Sequence, residues 1–193
     1  MTIVLIVCVL LLFAVIGLGL WIVGLYNELV RMRTAIDQAW ANIDVVLKQR
    51  HDELPKLVEV CNAYMTHERE TLEAVTTARA ASLAGRKTEE KTQAENRLTA
   101  ALGRLFAVAE SYPQLLANQT FGQLQQRISA IESQIADRRE FFNDAVTVFN
   151  TRIQQIPDVF VAQMLQYTPR PLLEIARADA QDVVLSFANR RAA

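Results

Sequence analysis

His51 and His67 are the only histidines in this 193-residue chain, and Cys8 and Cys61 the only cysteines, so metal or thiol chemistry would have to be built around them. A di-iron centre among helices needs Glu-x-x-His on two of them, with further glutamates facing inward. His67 has Tyr64 at the position that Glu would hold. A zinc site needs thiolate, imidazole or carboxylate ligands converging on one point. Cys8, however, lies deep in an apolar run and Cys61 on a later helix, a separation that also argues against a disulfide between them. Serine, histidine and aspartate occur without a nucleophile motif, and there is no glycine-rich phosphate loop. The expectation is a protein with no catalytic residues, cofactor, metal or small-molecule substrate.

A second set of polar residues has regular spacing without reactivity. Asp37, Asp44 and His51 are seven apart and fall on one helical stripe, with Arg33 and Trp40 beside it; Asn143 and Asn150 repeat the interval. Such a stripe either satisfies itself at the edge of a packed seam and fixes helix pairing, or stays exposed and docks a neighbour. Both roles depend on the helices that carry it.

The first of these helices begins in an uncharged apolar stretch from Met1 to Tyr26. About 20 apolar residues, rising about 1.5 Å each, cross a hydrocarbon core of about 30 Å, so the stretch can span a bilayer. It lacks the positive leader and small-x-small cleavage site of a secretory signal, and it ends on Trp21 and Tyr26, rings that settle at the headgroup level. We expect a retained anchor. Ala14, Gly17 and Gly24 share one face of it, where a second helix can approach closely. Arg31, Arg33, Lys48 and Arg50 follow the span, while only the amino group precedes it. That bias puts the N-terminus outside and the rest of the chain in the cytoplasm.

No Pro or Gly interrupts the passage from Leu25 to Arg50, where Leu29, Met32, Ile36, Ala39, Ile43, Val46 and Leu47 keep three-four spacing. Span and first polar helix should therefore form one rod of about 48 residues, roughly 70 Å long. Asp52 and Pro55 then read as the cap and first-turn proline of a second helix closing at Gly85; a kink in one longer rod is the alternative. Thr88 opens a third helix, with Leu98, Leu102, Leu105 and Ala109 inward and a stop at Tyr112 and Pro113. Asn118 reads as the cap of a fourth rather than as a glycosylation site. Its seam runs Phe121, Leu124, Ile128, Ile131, Ile135, Arg138, Phe142, Ala145, Phe149, Arg152 and Ile156, ending at Pro157. Arg138 and Arg152 should snorkel or meet acids such as Asp37 or Asp44.

Beyond Pro157, a short apolar segment with Phe160, Met164 and Leu165 is cut by Thr168, Pro169, Arg170 and Pro171, and a last amphipathic helix carries Leu173 and Phe187. This arm can fold back on the preceding helices, pack on a neighbouring subunit, or lie on the membrane. Strand-like alternation is absent and the chain has only six glycines and five prolines, so the fold class reads as all-α. A net charge of -1 without a basic stripe argues against nucleic acid as a partner.

The run Tyr26, Asn27, Glu28, Leu29, Val30, Arg31, Met32, Arg33, followed by Asp37, Ala39, Trp40, Asn42, Ile43, Asp44, Arg50, His51 and Pro55, resembles the start of a LemA family protein. His67, Glu68 and Arg79 fit its second helix, Ala107, Glu110, Tyr112 and Pro113 its third, and Phe142, Asn143, Asp144, Asn150 and Pro157 its fourth. The resemblance extends nearly to Pro171; Leu172 and Leu173 stand where the family often has aromatics, and the last helix lies outside it. It implies a bacterial inner-membrane protein with one N-terminal span and a cytoplasmic antiparallel four-helix bundle; it does not imply an enzyme. Family members sometimes appear alongside HtpX-type membrane metalloproteases, and one branch resembles a magnetosome membrane protein.

Three parts are expected: an anchor at residues 1–26, a bundle at 27–157 and a C-terminal arm at 158–193. The expected role is a non-catalytic membrane scaffold, a homo-oligomer organising the inner face of a membrane. An adaptor or regulator of a membrane protease is the alternative, and a metal-dependent enzyme the remote one.

Overall fold

The computed structural model of the chain describes residues 1–85 and 88–173, and every regular element among them is helical. These are α1 (Thr2–Asn62), α2 (Arg69–Ala84), α3 (Thr88–Ala109), the single turn α4 (Pro113–Leu116), α5 (Gln119–Arg152) and α6 (Asp158–Met164).

The 61 residues of α1 make a rod of roughly 90 Å at the helical rise. Its apolar N-terminal part is exposed and packs on nothing among the described residues, and it is long and apolar enough to cross a membrane. From Leu29 onward the same helix turns Ile36, Ala39, Ile43, Val46 and Leu47 inward without a break. The continuous rod read from the sequence is therefore present.

It does not stop at Asp52. Pro55 lies inside α1 rather than at the start of a second helix. A proline there removes the N–H that would reach the carbonyl of His51 and typically costs about 3 kcal/mol. Arg79 of α2 supplies the missing donor, its Nε reaching the His51 carbonyl at 3.0 Å. Leu54 and Leu57, flanking the proline, are almost completely buried. Packing and a donor from another helix outweigh the local break, and the chain reverses only at residues 63–68, where Met65 is buried. The helix after this turn is consequently short, at 16 residues.

α3 and α5 begin where the sequence places them. Asn118 caps α5, its Oδ1 accepting from the Phe121 N–H at 3.1 Å. Gly85 closes α2 at a point where a Cβ would meet the Lys91 backbone at 3.1 Å, a tight approach that favours glycine there. The seam of α5 differs from expectation in its later turns. Arg139, Val146 and Ile153 face inward in place of Arg138, Ala145 and Arg152, because after Ile135 the pattern steps by four rather than three. Arg139 finds Asn96 of α3 there, Nη1 to Oδ1 at 2.6 Å, and α5 ends at Arg152, which leaves Ile156 exposed.

α5 lies antiparallel against α1. Trp40 meets Phe142 edge-on at 5.8 Å, Arg50 pairs with Glu132, and Glu53 with Arg127 at 2.9 Å. The α2–α3 hairpin covers one end of this pair. One core joins the Leu29-to-Leu47 face of α1 to Ile131, Ile135 and Val146 of α5, to Ile153 just past its end, and to Val161 and Ala162 of α6. A second joins Leu54, Leu57 and Cys61 to α2, α3 and the start of α5. Buried on all sides, the Cys61 thiol is pushed up to about 11, and both cysteines are free thiols.

Candidate functional site

Asn143 and Asn150 clasp the chain's own segment 167–173. Asn150 donates from Nδ2 to the Arg170 carbonyl and accepts the Arg170 N–H at Oδ1, both at 2.8 Å. Asn143 does the same for Leu173, at 3.0 and 2.8 Å. A carboxamide presents one donor and one acceptor along a single edge, and so matches the N–H and C=O of one extended residue. Seven residues of helix and three of extended chain both span about 10 Å, which is why this asparagine interval fits this backbone interval.

The stripe on α1 holds the other side of the segment. Arg170 Nη1 reaches Asp37 Oδ1 at 2.7 Å. Arg33 stands 5.3 Å from the centre of the Tyr167 ring, which tilts against Phe149 at 5.7 Å. Asp44 pairs instead with Lys91 of α3 at 2.6 Å, and that ammonium lies 5.9 Å over the Trp40 ring. A cleft of about 520 Å³ opens beside Leu173, with Asp37, Trp40, Glu89, Phe142 and Arg170 among its walls. The acids named as partners for the seam arginines thus take other cations, and Arg152 pairs with Asp158 at 3.0 Å.

His51 leaves the stripe. A seven-residue interval drifts around a helix of 3.6 residues per turn, and at the height of His51 the α2–α3 hairpin closes over it. The ring joins a buried polar cluster the sequence reading missed: Arg50, His51, Ser82, Glu95, Thr99, Glu132 and Arg139. Arg50 is completely buried and pairs with Glu95 and Glu132. Its Nη1 also donates to Thr99 Oγ1 at 2.9 Å, and Thr99 in turn donates to Glu132. Ser82 donates to Glu95, and His51 Nε2 lies 3.0 Å from the same carboxylate oxygen.

Burial by itself would raise the Glu95 carboxyl. The His51 hydrogen bond, the Arg50 charge and the Ser82 hydroxyl outweigh it and hold the group at about 2. Arg139 is drawn down by burial and by the Arg50 charge, with Glu95 and Glu132 opposing.

This cluster has serine, histidine and acid but not a relay. In a relay the acid holds Nδ1 and the nucleophile meets Nε2, whereas here Glu95 and Ser82 both crowd Nε2 and His51 Nδ1 has no partner among the described residues. Ser82 is buried, without access for a substrate. Two guanidinium groups and two carboxylates balance in charge and tie α1, α3 and α5 together. One signal for it lay in the sequence. Glu95 stands three residues before Leu98 on the inward face of α3, a position polar residues occupy only with partners.

The remaining candidate residues fall elsewhere. Ala14, Gly17, Trp21, Gly24 and Tyr26 lie on the exposed N-terminal part of α1 or at its edge. On α6 and just past it, Phe160 and Met164 are exposed, while Leu165 packs on the first core and Leu173 is buried in it. Through Leu173 the arm therefore folds back on the helices. Phe187 and the expected last helix lie outside the described residues.

The sequence profile of the LemA family matches residues 39–187. Protein LemA of Metamycoplasma hominis is similar, with 27% identity over 177 residues, covering 89% of this chain and 80% of that protein. Magnetosome proteins MamQ 1 and MamQ 2 of Paramagnetospirillum magneticum are each 37% identical over 62 residues, 32% of this chain and 23% of theirs.

Proposed function

The chain belongs to the LemA family, and on that footing we propose that it is a non-catalytic, membrane-anchored scaffold that assembles with copies of itself on the inner face of a bacterial membrane. The observation that carries this reading is the unbroken α1, apolar and exposed at one end and packed at the other. A rod without a hinge sets the angle and distance between bilayer and folded domain. A scaffold depends on that geometry, whereas an enzyme on a tether does not.

In this reading residues 1–26 are the anchor, the four long helices α1, α2, α3 and α5 act as an antiparallel four-helix bundle within 27–157, and 158–193 is the arm. Arg31 and Arg33 favour a cytoplasmic bundle. Ala14, Gly17 and Gly24 offer the close approach through which spans associate, and among the described residues nothing beyond the adjoining turns of α1 itself lies within 4 Å of a Cβ built at either glycine.

The test is the mass, by light scattering, of the detergent-solubilised full-length protein beside a truncation starting at Tyr26. A discrete full-length oligomer with a monomeric truncation supports the scaffold. Monomers in both remove self-assembly and leave an adaptor of another membrane protein, a membrane protease first, as the reading to pursue.

A further inference from the structure

We infer that the outer face of α6, together with Ile156 before it, is a second membrane contact that seats the folded domain on the lipid surface. The inference rests on α1 being a membrane anchor.

The register of α1 against α5 sets the height of α6 along the rod. Going from Trp40 to Arg50 on α1 is matched by going from Phe142 back to Glu132 on α5. Continued the other way, the same register brings Ile153 beside Leu29, and both are buried in one core. Tyr167, past the end of α6, stands at the height of Arg33. The chain thus enters α6 near the height of Leu29 and leaves it near that of Arg33. Tyr26 is only seven residues, about 10 Å, below Arg33, and the core that holds Val161 and Ala162 extends down to Leu25.

The surface presented at that height suits lipid. Val161 and Ala162 face inward, while Ile156, Phe160 and Met164 are 80%, 65% and 71% exposed. Phe160 and Met164 are four apart and share one face of the helix. From Ile153 to Pro169 the only charged residue is Asp158, which is buried against Arg152. An uncharged face carrying three large apolar side chains, level with the headgroup end of a span, meets the acyl boundary of the same bilayer.

The test uses full-length protein carrying Cys8→Ala, with one added cysteine, F160C, M164C or, as a control, L83C, labelled with an environment-sensitive nitrobenzoxadiazole dye. Leu83 is 60% exposed and adjoins Ser82 at the height of His51, about 38 Å from Tyr26. Cys61 is buried and its thiol pushed up to about 11, so it stays unlabelled. The protein is reconstituted in phosphatidylcholine and phosphatidylglycerol vesicles with and without lipid spin-labelled near the headgroup.

The expected result is a blue shift and loss of emission to the spin label at 160 and 164, with neither at 83. Protein that survives an alkaline carbonate wash while 160 and 164 behave like 83 overturns the contact and leaves the anchor standing. A blue shift without quenching by lipid means that protein covers the face, which also overturns it. Protein stripped from the vesicles by the wash removes the anchor, and the contact with it.

Discussion

Arg79 and His51 meet at 3.0 Å, guanidinium Nε to backbone carbonyl, and that carbonyl is the acceptor that Pro55 leaves without its helical N–H. A buried carbonyl left unpaired costs about 1–3 kcal/mol. Arg79→Leu should therefore destabilise the domain by about that amount. In a Pro55→Ala background the loss should shrink, because the restored N–H takes the carbonyl. A double-mutant cycle from urea unfolding measures the coupling, and simple additivity would count against this account of how the helix passes its proline.

Arg50→Met leaves Glu95 and Glu132 without their shared cation in the interior. Breaking one side of a buried ion pair costs about 3–5 kcal/mol. The variant should unfold at a markedly lower denaturant concentration, and a shift no larger than that of a surface arginine such as Arg69 would show the cluster to be dispensable.

Acid should weaken the fold through Glu95. Its carboxyl is held at about 2 in the folded chain against an ordinary 4.5, so the unfolded chain takes up the proton first. The associated stability is complete above about pH 4.5 and is lost as pH falls toward 2, a difference of about 3 kcal/mol. Unfolding free energies measured across that window should fall in the parent and fall less in Glu95→Gln.

Asn143→Ala and Asn150→Ala should each release part of the clasped segment while leaving the cores intact. Amide hydrogen exchange gives the readout. The Leu173 N–H should lose protection in the first variant and the Arg170 N–H in the second, each by about tenfold to a hundredfold for two lost bonds. Protection that persists in both variants would mean that Asp37 and the Tyr167 ring hold the segment without the asparagines.

Gly17→Leu places a branched side chain on the face of the span proposed for close approach. The oligomer should become smaller or weaker by light scattering, with the helical signal of the folded domain unchanged. An unaltered particle would remove this face from the assembly.

Much of the architecture was legible because it is written in local chemistry. The apolar run with its following basic residues, the three-four seams, the Asn118 cap and the stop before Pro113 each follow from a few neighbouring side chains. The asparagine interval was visible too, though its partner was not. Asn143 and Asn150 bind backbone groups of Arg170 and Leu173, and backbone donors and acceptors carry no signature in a residue string. The misread elements share a cause. Pro55 continues a helix because Arg79 and the side chains that bury Leu54 and Leu57 come from elsewhere in the fold, and Arg139 rather than Arg138 faces inward, where it meets Asn96 of α3.

By itself, then, the sequence determined which stretches are helical, which faces are apolar and which end of the chain suits lipid, since hydrophobic periodicity and capping act within a few residues. The tertiary structure decided where α1 ends, how the polar stripe divides between a clasped segment and a buried ion cluster, and that α6 packs against α1. Those outcomes depend on groups 28 to 133 residues apart in the chain, from Arg79 with His51 to Arg170 with Asp37. Local propensity has no access to pairings of that range; packing supplies them.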